Sequence, residues 1–330
     1  MKTFQRKLFH TLSELHWPDN QWKQTCMELL NVGRSAFYKR MRGETPMMMY
    51  EIYQLTSHFQ LSIDHLISED KTLVPFKFPR GPYQEFSLKK LFGQMTDDFF
   101  SFKSLPNVRL HVLANDLPLY YYLDTDALLK FKFFCWELTK PGKSIWDTAY
   151  KTLDWEENVQ LAEQCEMIHD LYLHMPRTEI WSDSFLNKTL KQINYHLHHT
   201  TGFDEHHAHE VMDELIGVID KLQERICHHY NTAVNGTVAK YSFFINENET
   251  FNNTLMVKSD ALNEVQIYHD YPNFIKSNQV PFCEFTKEMI TKIRLQSDAM
   301  EAKSKNDREI WFTQLKDSIQ EFEQRLFVEF

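Results

Sequence analysis

Basic, hydroxyl and amide side chains crowd residues 22–45, WKQTCMELLNVGRSAFYKRMRGET, at spacings that could engage a polyanion. Between Asn20 and Gly43 the cations Lys23, Arg34, Lys39, Arg40 and Arg42 face one acid, Glu28, although the whole chain carries a formal net charge of -10. A locally positive segment in an acidic protein is the footprint of a surface that meets phosphates. Arg34, Ser35, Tyr38 and Lys39 are candidates for base-edge contacts, because Arg and Lys suit guanine acceptors and a hydroxyl serves either a base or a phosphate. Gln21, Lys23, Gln24, Arg40, Arg42 and Thr45 fit the positioning role that phosphate contacts play. For Arg40 and Arg42 the plain alternative is that they complement the negative end of their own helix dipole.

These side chains need helices to hold them. Asp19 can cap a helix whose apolar positions Trp22, Cys26, Leu29 and Leu30 recur every three or four residues. Asn31-Val32-Gly33 breaks it, with Gly33 supplying a permissive backbone, and a second helix buries Ala36, Phe37 and Met41 before Gly43 stops it. Thr45 and Pro46 restart a helix that carries Met48, Met49, Ile52, Leu55 and Phe59 on one face. A short helix over residues 63–67 follows, and Phe4, Leu8, Phe9, Leu12 and Leu15 make an amphipathic first one.

Five helices in about seventy residues, with a helix-turn-helix at the second and third, resemble the lambda-repressor-type (Cro or XRE) DNA-binding domain. The resemblance is carried by LLNVGRSAFYKRMRGE and by the helix leading into LSIDHLI, and it spans residues 1–69. Asn31 stands where that family usually has glycine, and Asn tolerates a left-handed backbone. The resemblance implies a recognition helix lying in the major groove, with double-stranded DNA as partner and a homodimer reading two half-sites.

A second cluster could do different chemistry. His196, His198, His199, His206, His207 and His209 gather with Asp204, Glu205 and Glu210 at a helix corner, and pairs such as His196 with His199 or His206 with Glu210 have metal-ligand spacing. An exposed corner also favours polar residues, and no HExxH run is present, so His196, His199, His206 and Glu210 stand only as weak metal candidates. Cys135 and Cys165 sit in apolar helical surroundings that make inert thiols. With no GxSxG elbow and no strict carboxylate dyad, the expectation is a non-enzyme. Eight glycines, and neither GxxxxGK[ST] nor GxGxxG, argue against nucleotide-driven chemistry and predict no cofactor.

At 330 residues and 42% hydrophobic the chain is large enough for two or three folding units. Five scattered cysteines without a CxxC pair, no apolar run near the roughly 18–20 residues of a membrane span, and no secretory apolar core predict a cytoplasmic protein without membrane contact. Charge and prolines mark a linker at residues 71–82 between an N-terminal unit, 1–70, and a larger region, 83–330, with a further division near residue 232.

In that region a strand is predicted at 108–114 and an aromatic helix at 127–138. Helices over 156–174, 183–199 and 204–230 come next. An antiparallel meander of three strands at 237–245, 253–258 and 264–271 precedes helices over 281–300 and 307–327. The fold class read from this pattern is mainly α, α+β overall: a five-helix lambda-repressor-like bundle, then a helical domain with a small antiparallel sheet. The helices at 127–138 and 204–230 are the candidates for dimer contact. The function expected is a one-component transcription regulator, repressor or activator, with room for an unidentified small-molecule effector. Two rivals stand beside it, a metal-dependent enzyme tethered to DNA and a protein-binding scaffold.

Overall fold

The computed structural model describes residues 2–14, 21–59, 61–67, 73–78, 87–139, 148–151, 153–227, 233–234, 237–238, 241–248, 251–270 and 272–328. In the N-terminal unit α1 (Lys2–Glu14), α2 (Gln21–Leu29), α3 (Arg34–Met41) and α4 (Met49–His58) close around Leu8, Phe9, Leu12, Trp22, Cys26, Phe37, Met47 and Leu55. The segment α5 (Ile63–Ile67) is only five residues long and contributes Leu66. The expected five-helix bundle is therefore corrected to four helices and a single short turn of helix.

The larger unit continues with α6 (Leu88–Lys103), β1 (Arg109–Ala114), α7 (Ala127–Glu137), α8 (Val159–Leu173), β2 (Arg177–Ser182), α9 (Asn187–His199) and α10 (Glu205–Cys227). A two-residue ladder, β3 (Ala233–Val234) with β4 (Thr237–Val238), precedes β5 (Tyr241–Asn246), β6 (Thr254–Lys258), β7 (Asn263–Asp270) and β8 (Asn273–Ser277). Then come α11 (Val280–Leu295), β9 (Asp298–Ala299) and α12 (Lys305–Val328).

The sheet overturns the expected fold class. It has seven strands in the order β8-β7-β6-β1-β2-β5-β9, and β1, β2 and β5 run parallel. Of the expected antiparallel meander only the β6-β7 pairing is present, because β5 pairs with β2 rather than with β6, and β8 adds an antiparallel strand that the sequence pattern does not predict. The difference turns on β2: the two charges of RTEIWS give it the look of a solvent segment, yet it is a strand buried at all six positions. Without β2 nothing pairs β1 with β5.

Alternate strand residues serve two cores. Leu110, Val112, Trp181, Phe243, Leu255 and Val257 face a thick layer built from α6 through α10 and α12. Leu113, Ile180, Met256 and Val265 face α11 through Cys283, Ile290 and Ile293. The aromatic helix α7 is apolar all round because it lies inside the thick layer, with Leu128, Phe131 and Phe133 each 2% exposed or less. Its first turn is held by the Glu214 carboxylate of α10, which accepts from Asp126 N at 3.0 Å and Leu128 N at 2.7 Å. The α10 stripe of Val211, Leu215, Val218, Ile219, Leu222 and Ile226 is likewise consumed in this core. Neither α7 nor that stripe is free to make the expected dimer contact. The thiols of Cys26, Cys135, Cys165 and Cys283 are also buried, and burial raises each of them, to about 12 for Cys26, Cys135 and Cys283.

The middle strand carries a buried ion pair. The Glu179 carboxylate, with no exposure, accepts from Arg177 Nε at 2.7 Å, Tyr172 Oη at 2.6 Å and Tyr121 Oη at 2.8 Å. The Arg177 guanidinium lies 4.3 Å from the Tyr241 ring centre and 5.0 Å from that of Tyr172. These contacts tie β2 to α8, to the turn after β1 and to β5. Removing one member of such a pair strands the other in low dielectric, so Glu179→Ala should cost about 3–5 kcal/mol in urea unfolding. Tyr172→Phe should cost about 1 kcal/mol.

Candidate functional site

The turn between α2 and α3 is built by hydrogen bonds that a helix ending must make. Asn31 adopts a left-handed backbone, φ 51°, while Val32 N donates to Met27 O at 3.1 Å and Asn31 N to Glu28 O at 3.1 Å. This pair of bonds is a Schellman ending, with Val32 and Met27 each packed against the edge of the core. Gly33, expected to supply the unusual backbone, is instead extended at φ -73°, and a side chain there would meet no atom within 4 Å. The left-handed residue is Asn31. The same ending recurs after α3, where Gly43 has φ 73° and Glu44 N reaches Lys39 O at 2.8 Å.

Phe37 anchors α3. Its ring is fully buried and meets Phe9 edge-on at 5.5 Å and Trp22 at 6.3 Å. With Phe37 facing inward, Arg34, Ser35, Lys39 and Arg42 lie exposed and Tyr38 half-exposed on the outer face. The Arg34 guanidinium sits 5.9 Å from the Tyr38 ring centre. On α2, Gln21 and Gln24 are exposed and Lys23 is half-exposed, its ammonium 5.5 Å from the Trp22 ring centre. Gln24 donates to Glu28 at 2.7 Å.

Arg40 and Thr45 have structural partners. Arg40 Nε donates to Glu51 Oε1 at 3.0 Å, and Glu51, 1% exposed, also accepts from Met48 N at 2.8 Å. Gln5, equally buried, donates to Thr45 O at 2.9 Å and Arg40 O at 3.3 Å. Glu51 and Gln5 thus fix the C-terminal end of α3 to α4 and α1. Sequence reasoning missed both, although a Glu three residues after the start of a helix is a capping signal. Arg42 pairs in the open with Glu44, whose carboxylate accepts from its Nε at 2.6 Å.

The start of α4 differs from expectation. The helix begins at Met49, so Glu51, Ile52, Leu55 and Phe59 face inward, Met47 fills the core, and Met48 and Met49 are 61% and 76% exposed.

The histidine corner does not converge. Among the described residues no group of three or more His, Cys, Asp or Glu side chains could hold a metal ion. His196 belongs to the core: its Nδ1 lies 2.8 Å from Thr200 Oγ1 and its ring packs on Phe131 and Phe134. Burial lowers its pKa from 6.5 to about 4. His199 is exposed and tilted over Tyr195. His206 faces Glu210 at 3.7 Å in solvent, and His209 is bonded to Glu323 of α12. His228 and His229 lie outside the described residues.

A polar crevice that the sequence did not announce opens at the carboxyl ends of the parallel strands. One lobe, about 330 Å³, is lined by Asn115, Asp116, Lys132, Lys188, Gln192 and Asn253 among others. An adjoining lobe of about 520 Å³ shares Asn115, Lys188 and Gln192 and adds Ser184, Lys191 and Tyr195. The signal available in the sequence was the pair of lysines, Lys130 and Lys132, inside the apolar run of α7, of which Lys132 is the buried one.

No family model, no curated protein and no solved structure matches this chain. No helix among the described residues is long and apolar enough to cross a membrane.

Two outcomes test these assignments. Arg40→Ala leaves a buried carboxylate short of its donor and should cost about 1–3 kcal/mol of stability, whereas Lys39→Ala should leave the unfolding midpoint unchanged. Because His196 is held neutral, with a folded pKa of about 4 against an ordinary 6.5, the unfolded state binds the extra proton. The stability His196 contributes is complete above pH 6.5 and is lost as the pH falls toward 4. In urea titrations across that window His196→Gln should give a shallower decline than the unaltered protein.

Proposed function

We propose that this protein is a DNA-binding transcription regulator whose N-terminal unit, similar to lambda-repressor-type helix-turn-helix domains, lays α3 in the major groove. The observation that carries the reading is the outer face of α3: Arg34, Ser35, Lys39 and Arg42 are exposed while Phe37 pins the opposite face into the core. A helix so anchored presents its N-terminal side chains as a rigid reading head, and the tight turn brings α2 close enough to touch the flanking backbone.

Arg34, Ser35, Tyr38 and Lys39 then meet base edges. Gln21, Lys23, Gln24 and Arg42 position the helix on phosphates. Arg40 and Thr45 act chiefly through their bonds to Glu51 and Gln5, which hold α3 at its working angle. Eight residues of recognition helix reach few base pairs, so affinity for an operator calls for two copies on adjacent half-sites. The chain as a whole is acidic, with a formal net charge of -10, so a locally positive α2–α3 surface favours one docking orientation on a duplex.

Selection of bound sequences from random DNA with the full-length protein supplies the operator, and fluorescence anisotropy then tests the roles. Arg34→Ala should weaken operator binding by about 1–3 kcal/mol and relax preference at one base position. Lys23→Ala should weaken all sequences alike and lower the salt slope by about one. Equal losses on operator and random DNA for Arg34→Ala would remove it from the base-reading set, and no salt-sensitive binding to any duplex would end the proposal.

A further inference from the structure

The crevice at the strand ends is where the sheet changes direction. From β1 the chain goes to β2 and then β5 on one side, while β6 returns to the other side of β1. Asn115 follows β1, Asn253 precedes β6, and Asn115 N donates to Asn253 Oδ1 at 2.7 Å across the gap. In open sheets of this kind ligands bind outside the carboxyl ends of the strands at the point of reversal.

The charge of the crevice is specific. Lys132, 2% exposed, forms its floor, with Nζ donating to Thr189 Oγ1 at 2.7 Å and Gln192 Oε1 at 2.8 Å. Both partners are neutral, and among the described residues no carboxylate lies within ion-pair distance of this ammonium. An ammonium has three protons to donate, so one remains for a further acceptor. A buried cation without a bonded counter-ion is costly, and the cost is lifted when an anion arrives.

Lys188 and Lys191 stand at the opening; burial and, more weakly, Lys188 oppose the charge on Lys132, while Asp116 favours it from beyond bonding distance. Asp116 is the single carboxylate among the lining residues; it accepts from Leu117 N at 2.9 Å and lies 3.5 Å from Lys188 Nζ. Three cations against one anion leave an excess of two positive charges. The 13-residue helix α9 adds its positive end here, and no side chain caps its first turn.

We infer that this crevice binds a small phosphate monoester, with the phosphoryl group held by Lys132, Lys188 and Lys191 at the start of α9 and its organic part lying toward Tyr195. A phosphate monoester is close to a dianion at neutral pH, which matches the excess charge. Lysines bind phosphate as point charges, and three of them line this crevice. The site needs no glycine-rich loop, because side-chain ammonium groups and a helix end do that work. It stands whether or not the N-terminal unit reads DNA.

The test titrates the full-length protein with inorganic phosphate, AMP and glucose 6-phosphate, with adenosine, glucose and citrate as comparisons, following melting temperature and phosphorus NMR line width. The phosphate compounds should raise the melting temperature saturably and the uncharged comparisons should not. A Lys188→Ala/Lys191→Ala double variant, changed only at exposed positions, should lose about tenfold or more in affinity. Lys132→Met should abolish binding; if that variant fails to fold, the double variant carries the test. No saturable effect of any phosphate compound at millimolar concentration overturns the inference. So does undiminished affinity in the double variant, or binding of citrate alone.

Discussion

A carboxylate without exposure on β2, the middle strand of the parallel trio, sets the terms for the whole larger unit. Burial of Glu179 there requires donors from its neighbours, and they come from Arg177, Tyr121 and Tyr172, with Tyr241 closing over the arginine. Because these residues belong to separate segments, the ion pair is satisfied only when β1, β2, β5 and α8 are all in place. The apolar layers contribute most of the burial, but they are tolerant of which strand lies beside which. A buried ion pair is less tolerant, because its donors must converge at one point from separate segments. The parallel trio that results aligns three carboxyl ends and so creates the crevice beside Asn115.

The same logic operates on a smaller scale in the N-terminal unit. Arg40 and Arg42 look alike in sequence, two cations near the end of one helix, yet the first reaches a carboxylate that is 1% exposed and the second one in open solvent. Burial separates a residue that shapes the surface from one that belongs to it. Gln5, from α1, completes the clamp by donating to the backbone carbonyls of Arg40 and Thr45 around the end of α3.

Periodicity made most helices legible, including the two around the turn at Asn31, because local spacing and local capping decide them. It located β1, β6 and β7 for the same reason. It failed for β2 because a strand buried on both faces does not alternate, and its Arg and Glu look like solvent residues until their mutual pairing is seen. The meander was misjoined since pairing between β2 and β5 is a long-range choice that no window reveals. On the candidate DNA-reading surface the exposed cations were visible in the sequence, but the roles of Glu51 and Gln5 depend on partners 11 to 40 positions away. The histidine corner misled by composition: six rings near one bend look like a ligand set, yet His196 turns into the core and His209 across to α12.

The four buried thiols carry a practical consequence. A thiol shielded from solvent and held protonated is deaf to alkylating reagents while its surroundings stay closed. In a Cys227→Ser background, the rate at which Cys26 reacts would act as a stopwatch for opening of the N-terminal unit alone. Cys135, Cys165 and Cys283 would time the two faces of the sheet separately, so four native residues already serve as site-resolved clocks of local unfolding.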